Sequence, residues 1–356
     1  MRILTILFAT MLWGCGESPT PILGCEPGSR ITPDCRFSNP EDLAVVPSGG
    51  RLIVSQMGSM DGSVSGDIVL YTPPKGAIEV LFPPEEIADD RSWGEADCPP
   101  PDEAAFSPHG IDLERRRDGR FVLLVVNHGL RESVEFLEVL EDGGRVALQW
   151  RGCALGPDQS SFNDVVASAD GGFYVSQMMP KDSQTSAMLK ALVFGSDTGF
   201  VYRWRPVDGF SQVPGSEGPF PNGLEKSVDE SALYINMYLA GEVRKLDLES
   251  GEIVATAEVS SPDNSTWSDG GRLLVASHTD GLLELTACQG LEQGSCGFEF
   301  EIVSLDPDDL SGGMVLTNRG APMGGATVAL EMGGELYLGT FAGDRIAVTP
   351  SDILDR

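Results

Sequence analysis

Oxygen-bearing side chains recur along this chain at the starts of short apolar segments. Glu41 opens "EDLAVV", Asn163 opens "NDVVA", Asn222 opens "NGLEK", and Asp263 with Asn264 opens "DNSTW". Carboxylate and carboxamide oxygens are side-chain ligands that Ca²⁺ prefers, and the ion accepts about six to eight oxygens in irregular geometry, backbone carbonyls included. If the fold brings these residues together, the pattern predicts a calcium site.

Two of these positions continue with an acid, Asp42 after Glu41 and Asp164 after Asn163. Successive side chains of a strand point in opposite directions, so the second residues predict a deeper cation site. Two simpler interpretations are open. Asp and Asn often follow turns, and the "NST" triplet at Asn264 has the form of an N-glycosylation acceptor.

The elements that must position these residues are short strands. Apolar and polar residues alternate from "DLAVV" onwards, and clusters of Gly, Asp, Ser and Pro separate the segments, which is typical of strands joined by turns. A two-strand phrase such as "NDVVASADGGFYVSQ" occurs six times, starting at Glu41, His109, Asn163, Asn222, Asp263 and Gly325. Most copies are followed by another strand pair, which predicts an all-β, six-bladed β-propeller with four-stranded blades.

In a propeller the first strand of each blade lines the central channel, so equivalent positions of successive blades converge on the axis. The repeat places at this position Glu41, His109, Asn163, Asn222 and either Asp263 or Asn264. A buried core would have apolar residues there. We therefore favour a channel site for one or two Ca²⁺ ions over a series of unrelated turn residues.

The N-terminus predicts export. Arg2 precedes an apolar run, Ile3 to Trp13, that is too short to span a bilayer and has the form of a signal-peptide core. The run ends in "LWGC", which resembles the bacterial lipoprotein box and makes Cys15 the lipidated residue, with "GESPTPILG" as a flexible tether. The expected divisions are a signal peptide at 1–14, a tether and N-terminal segment at 15–36, and the propeller at 37–356. The protein should reside in the cell envelope, at the outer membrane or the periplasmic face, or be secreted if the box is not used.

Cysteine content fits an oxidising compartment. The chain has seven cysteines, and none of those beyond Cys15 lies in a C-x-x-C motif, so thiolate zinc and thioredoxin-like redox sites lack their usual signature. Many pairings of six cysteines are possible. Spacing favours three disulfides: Cys25–Cys35, Cys288–Cys296 and, from the remainder, Cys98–Cys153.

Charge excludes several classes of partner. The chain has 54 acidic and 24 basic residues, a net charge of −30, and the acids are spread along it. Such a field repels nucleic acids and anionic lipid and concentrates cations. We expect a monomer with no nucleic-acid partner, whose membrane contact is confined to the N-terminal lipid anchor.

The ordered phrases resemble the paraoxonase family of six-bladed calcium lactonases and arylesterases, whose relatives include gluconolactonase (SMP-30) and strictosidine-synthase-like propellers. The matching stretches run in order from Glu41 to the C-terminus and include "PEDLAVVPSGGRLIVS", "FSPHGIDL", "LLVVNHG", "FNDVVASADGGFYVS", "DNSTWSDGGRLLVASHTDG" and "GGATVALEMGGELYLGT". A lone Asn-Gly would carry no weight, whereas an ordered set of this length is specific.

The resemblance implies roles for individual residues. The catalytic calcium of the family would be held here by Glu41, Asn163, Asn222, Asp263 and Asn264. A structural calcium would take Asp42, Asp164 and the backbone carbonyl of Ile111. The family's histidine pair falls on His109 and His128, and the third histidine of the chain, His278, matches a family position near the pocket.

These roles imply hydrolysis of a small lactone or ester. A calcium ion with an open position polarises the carbonyl of the substrate, while His109 takes the proton from the attacking water and His128 orients it or relays the proton. The pocket wall, with core or rim packing as the alternative, would be formed by Met178, Tyr238 and Trp267. The segment "PKDSQTSAMLKALVFGSDTG" could form a short helix that acts as a lid.

The chain departs from the family pattern at two points. Paraoxonases have an acid at the position of Met178 that is thought to support the second histidine, so the sequence does not show whether the relay is intact. The chain also has no cysteine after Cys296, whereas the animal enzymes join their two ends by a disulfide. Closure of the propeller must therefore rely on strand pairing.

Two other functions are compatible with the repeat. A sugar lactonase of the gluconolactonase branch typically has Asp-Gly where this chain has Asp263-Asn264, and it lacks the two histidine phrases. A non-catalytic propeller with structural calcium, acting as a binding scaffold, would have no need of histidines at the family positions. The residues therefore favour a paraoxonase-like hydrolase.

Overall fold

The computed structural model describes residues 20–59, 63–82, 86–88, 90–281, 284, 287–288, 291 and 293–355. The predicted signal peptide and Cys15 lie outside these ranges. No helix among the described residues is long and apolar enough to cross a membrane.

Six antiparallel sheets follow one another along the chain, which confirms the predicted all-β, six-bladed propeller. Blade one contains β2 (Pro40–Val45), β3 (Leu52–Gln56), β4 (Asp67–Tyr71) and β5 (Ile78–Val80). Blade two contains β7 (Pro108–Arg115), β8 (Phe121–Asn127), β9 (Ser133–Asp142) and β10 (Arg145–Leu155), and a short β6 (Glu86–Ile87) pairs in parallel with β10. Blade three contains β11 (Phe162–Ala167), β12 (Phe173–Gln177), β13 (Phe200–Arg205) and β14 (Gly209–Gln212).

The remaining three sheets complete the ring. Blade four contains β15 (Pro221–Lys226), β16 (Ala232–Met237), β17 (Glu242–Asp247) and β18 (Ile253–Glu258). Blade five contains β19 (Pro262–Trp267), β20 (Leu273–His278), β21 (Phe300–Leu305) and β22 (Gly312–Asn318). Blade six contains β23 (Ala326–Met332), β24 (Glu335–Thr340) and β25 (Ile346–Pro350), with β1 (Thr32–Asp34) as its outermost strand.

The two ends of the chain meet in blade six. Strand β1 pairs antiparallel with β25, with Thr32 opposite Val348 and Asp34 opposite Ile346. Strand pairing thus closes the ring, as the missing C-terminal cysteine implied. The propeller also includes residues that the sequence assigned to the segment before position 37.

The end of the predicted tether is fixed to the propeller. Ile22 is buried, and its backbone exchanges hydrogen bonds with that of Ser295. The fully buried Arg345 donates to the backbone carbonyls of Ile22 and Gly24, and to that of Pro322. Residues 22–24 therefore differ from the flexible tether that the sequence predicted, because a buried arginine satisfies their carbonyl groups.

The core consists of apolar layers between neighbouring blades. Ile53 of blade one packs in one cluster with Leu123 of blade two, and the ring of Phe136 of blade two packs at a tilt against Phe173 and Trp204 of blade three. Corresponding clusters join the other neighbours, including blade six with blade one. Period-two alternation supplies these layers, since each sheet must bury both faces.

One α-helix, α1 (Gln184–Phe194), lies in the segment between β12 and β13, which confirms the expected helix. Its residues are mostly strong helix formers. Gly195 ends the helix in the left-handed conformation with φ of 62° and donates to the carbonyl of Ala191, as glycine commonly does at this position. A short 3₁₀ helix, Ser351–Asp355, ends the described chain.

Three disulfides join the pairs that spacing favoured. They are Cys25–Cys35, Cys98–Cys153 and Cys288–Cys296. Disulfides form and persist in oxidising compartments, and three of them indicate an exported protein.

Candidate metal centre and active site

All six inner strands begin with the same irregularity. In β2, β7, β11, β15, β19 and β23, one extra residue near the start opposes the second strand of the blade. Such a bulge interrupts the alternation of side chains and re-aims the residues within it. The ligands predicted for the catalytic calcium, Glu41, Asn163, Asn222, Asp263 and Asn264, all lie in these bulges.

The bulges bring side chains of different blades together at the axis. Asn264 Nδ2 donates to Glu41 Oε1 at 2.7 Å, linking blade five to blade one. The neighbouring Asp263 is hydrogen-bonded by Asn222 of blade four. Adjacent residues of one bulge thus contact two different blades around the ring.

Two glycines permit this close approach. A Cβ atom at Gly110 would lie 2.6 Å from the Cα of Asp164, and one at Gly223 would lie 2.2 Å from the carbonyl oxygen of Asp263. Any larger residue would push the neighbouring inner strand away. The glycines of the "PHG" and "PNG" phrases are therefore explained by contact between inner strands.

Several acceptor oxygens of the predicted calcium ligands lack a hydrogen-bond donor among the described residues. They are Glu41 Oε2, Asn222 Oδ1 and Asn264 Oδ1, and all three are buried. An unsatisfied buried acceptor costs about 1–3 kcal/mol, and a shared cation would satisfy all three. The donor set of two carboxylates and three carboxamides suits Ca²⁺.

The ring is also crowded with acids. Burial, together with the charges of Asp42 and Asp263, raises the pKa of Glu41 well above its usual range. Burial raises the pKa of Asp263 to about 8. The described residues contain no group of three His, Cys, Asp or Glu side chains arranged to hold a metal, since three asparagines provide much of the ring.

The predicted second cation site lies along the same channel. Asp42, Asp164 and Ile111 line one cavity of about 260 Å³. Asp42 Oδ2 accepts from the backbone N–H of Ile111 at 2.7 Å, and Asp164 Oδ2 accepts from that of Leu224 at 2.7 Å. These bonds hold both carboxylates, and occupation of the site by calcium stays a prediction.

Blade six provides no ligand to the ring. At the equivalent bulge, Thr327 Oγ1 donates to the backbone carbonyl of Glu41 at 2.6 Å. Thr327 therefore fixes the backbone of a predicted ligand in blade one.

The two histidines assigned to catalysis are in contact. His109 Nδ1 lies 3.0 Å from His128 Nε2, and His109 Nε2 lies 3.7 Å from Glu41 Oε1. Both rings are buried. Burial, followed by the neighbouring charge of His128, holds the pKa of His109 well below its usual range, which favours the neutral imidazole.

A carboxylate that the sequence did not identify supports the second histidine. His128 Nδ1 lies 3.0 Å from Glu132 Oε1, and Lys181 Nζ lies 2.6 Å from Glu132 Oε2. Burial opposes ionisation of Glu132, but His128 and Lys181 together lower its pKa. Met178, at the position of the family's acid, is buried and places its sulfur 3.5 Å from Asn163 Nδ2.

The third histidine is held from both sides. His278 Nε2 lies 3.0 Å from the carbonyl oxygen of Ala326, which makes this nitrogen the donor. Its Nδ1 then accepts from the hydroxyl of Tyr238 at 3.0 Å. Asp263 Oδ2 lies 3.7 Å from His278 Nε2, so His278 and its partner Tyr238 lie beside the ring.

Trp267 lies at the other end of β19 from the predicted ligands. It ends the strand, four residues beyond Asp263, which is about 13 Å at the rise of a strand, and it packs edge-on against Tyr234. It lines the cavity that also contains Asp42 and Asp164, and its assignment to the substrate pocket stays a prediction.

Comparisons with known proteins agree with this geometry. Residues 39–346 match the sequence family described as Arylesterase. No curated protein matches the chain. A gluconolactonase structure from Xanthomonas campestris is 16% identical with a TM-score of 0.52, over 94% of this chain and 95% of that one. A luciferin-regenerating enzyme is 15% identical with a TM-score of 0.52, over 89% and 92% of the two chains. At these identities the structures share a fold with this chain.

Proposed function

The chain belongs to the arylesterase family, and on that premise we propose that it is a calcium-dependent hydrolase of lactones or aryl esters. The observation that carries calcium dependence is that three buried acceptor oxygens of the ring, from Glu41, Asn222 and Asn264, have no hydrogen-bond donor among the described residues. Asn163 and Asp263 would complete the set of ligands.

Calcium bound in the ring would polarise the substrate carbonyl and stabilise the oxyanion. His109 has the position of a general base, because its Nε2 lies 3.7 Å from the predicted ligand Glu41 and burial favours the unprotonated form of its ring. His128 holds the other nitrogen of His109 and so orients the base. No serine nucleophile is needed in this scheme.

The membrane anchor is also part of the proposal. Lipidation of Cys15 would place an exported, monomeric enzyme at the cell envelope, and secretion would follow if the lipoprotein box is not processed. The test is mass spectrometry of the mature N-terminus, where a diacylglyceryl group on Cys15 supports the anchor and an unmodified cleavage product supports secretion.

Hydrolysis should be tested with phenyl acetate and a panel of small lactones, with and without EDTA. We expect EDTA to abolish activity and calcium to restore it. His109→Gln should lower kcat by about 10²- to 10⁴-fold, the usual contribution of a general base. Asn264→Ala should weaken calcium binding and activity together, while the matched control Asn318→Ala on β22 should change neither.

The alternatives make different predictions in the same assays. Activity that is confined to sugar lactones and unaffected by His109→Gln would support the gluconolactonase-like alternative. Calcium binding that raises the melting temperature without hydrolysis of any ester or lactone would support a binding scaffold.

A further inference from the structure

We propose that Glu132 is the positioning residue of the histidine pair, that it replaces the acid absent from position 178, and that Lys181 holds it in place. This inference rests on the proposed function. It assigns to the chain a four-residue series, His109, His128, Glu132 and Lys181, that runs from the calcium ring to the segment carrying α1.

The location of Glu132 fits this role. Glu132 immediately precedes β9, in the connection that follows β8, and it is buried. Its Oε1 accepts from the backbone N–H of Phe162 at 2.5 Å and contacts His128. The backbone bond fixes the carboxylate beside the start of β11, next to the predicted ligand Asn163.

The series of hydrogen bonds determines which nitrogen of each histidine carries a proton. An ionised carboxylate only accepts, so His128 Nδ1–H must donate to Glu132. When His128 is neutral, its Nε2 is then the acceptor for His109 Nδ1–H, across 3.0 Å. His109 Nε2 is left with a free lone pair on the side of Glu41, which is the state a general base requires.

Met178 cannot perform this task, because a thioether sulfur is a weak acceptor without charge. Lys181 follows Met178 by three residues, and its backbone N–H donates to the carbonyl of Gln159. The segment that carries Met178 at the position of the family's acid therefore also provides Lys181, the cation that contacts Glu132.

The activity test compares Glu132→Leu, which removes the acceptor and the charge, with Glu132→Gln, which keeps the shape and removes the charge. We expect Glu132→Leu to lower kcat by about 10²-fold or more, with little change in KM or calcium affinity, and Glu132→Gln to have a smaller effect. In a His128→Gln background, Glu132→Leu should cost little more, because residues that act as a unit are not additive.

A matched control is Glu138→Gln. Glu138 lies on β9 and is another buried carboxylate, paired with Arg151. If Glu132→Leu lowers kcat no more than this control, or if its effect is fully additive with that of His128→Gln, the positioning role is wrong. Lys181→Met should lower kcat by less than Glu132→Leu, and it should have no further effect in the Glu132→Leu background.

A second measurement does not depend on activity. The chain has three histidines, so ¹⁵N imidazole spectra can be assigned by substitution. We expect the Nδ1–H form for His109 and His128, and the Nε2–H form for His278, which donates to Ala326. Glu132→Leu and Glu132→Gln should mix the forms of the pair and leave His278 unchanged.

The two measurements separate the two proposals. If the wild type hydrolyses nothing, the proposed function fails, and the spectra still decide whether Glu132 sets the protonation of the pair. If the wild type is active and the spectra of the pair do not change in either Glu132 variant, the inference about Glu132 fails alone.

Discussion

Asn264 shows how one side chain can serve both the folded ring and a bound cation. Its Nδ2 donates to Glu41, while its Oδ1 has no donor among the described residues. An amide can perform both tasks at once, whereas a carboxylate would repel Glu41 and alanine would leave it unpaired. Asparagine therefore offers an oxygen ligand without adding negative charge to the ring.

This balance predicts opposite effects for two substitutions. Asn264→Asp adds a negative charge beside Glu41, so the calcium-free protein should lose about 1–3 kcal/mol of stability, and calcium should raise its melting temperature more than that of the wild type. Asn264→Ala should reduce the calcium-induced rise. Thermal unfolding across a calcium titration measures both, and a change in the same direction for the two variants would contradict the assignment.

Gly223 offers a test of the close approach between inner strands. Gly223→Ala should displace Asp263 and Asn264, weaken calcium binding, and cost about 1–3 kcal/mol through overpacking. Gly313→Ala is the matched control, because a Cβ there would meet nothing within 4 Å. Calorimetric calcium titrations and denaturant unfolding would contradict the role of Gly223 if the two variants behaved alike.

At the scale of the element, strand β1, which closes the ring, is the strand that we expect to be most easily disrupted. Strand β1 has three residues, and Cys35 directly follows it in a disulfide with Cys25. Pairing of only three residues with β25 contributes little stability by itself. The disulfide and the contacts of Arg345 therefore keep the N-terminal segment in register.

Replacing Cys25 and Cys35 together by serine should lower the free energy of unfolding by about 2–3 kcal/mol, as loop-closure entropy predicts for a loop of this length. Amide hydrogen exchange of Thr32 and Asp34 should accelerate, whereas Pro33 has no N–H. The double serine variant of Cys288 and Cys296 is the control and should leave exchange in β1 unchanged. Equal acceleration in both variants would show that β1 does not depend on its own disulfide.

Sequence patterns predicted the blades because period-two alternation and turn residues are local. The ring positions were also predictable, because the repeat placed oxygen side chains at equivalent points. The bulges were not, since an extra residue leaves no mark in composition. Glu132 was missed because it lies in an irregular connection. Outside the strands, the sequence has no periodic pattern from which a contact with His128 could be predicted. The distance of Trp267 from the predicted ligands was not predictable, because the pattern did not show which end of β19 carries them.

At the scale of the whole molecule, the ring connects distant parts of the chain. Its predicted ligands come from blades one, three, four and five, so a bound cation would hold together segments that strand pairing joins only through their neighbours. The net charge of −30 also favours cations in general. Specific binding must therefore be distinguished from screening.

Calcium at about 100 times its dissociation constant should stabilise the protein by about 2.7 kcal/mol. Magnesium at the same ionic strength should stabilise it much less, because Mg²⁺ demands smaller, near-octahedral sites and keeps its water ligands. Differential scanning calorimetry in the two salts provides the comparison. An equal rise in melting temperature would indicate screening of the surface charge and no selective site.

The fixed position of residues 22–24 limits the distance between the propeller and a lipid on Cys15. If Cys15 carries the lipid, six residues separate it from Ile22, and the seven fully extended steps from one to the other span about 25 Å. Ile22 pairs with Ser295, which in turn pairs with Gly343. Ser295 and Gly343 lie in connections that leave the second strands of blades five and six, at the end of the channel where the inner strands begin. A lipid on Cys15 would therefore hold the propeller close to the bilayer with that end of the channel toward it, and substrate would arrive through the space between membrane and protein.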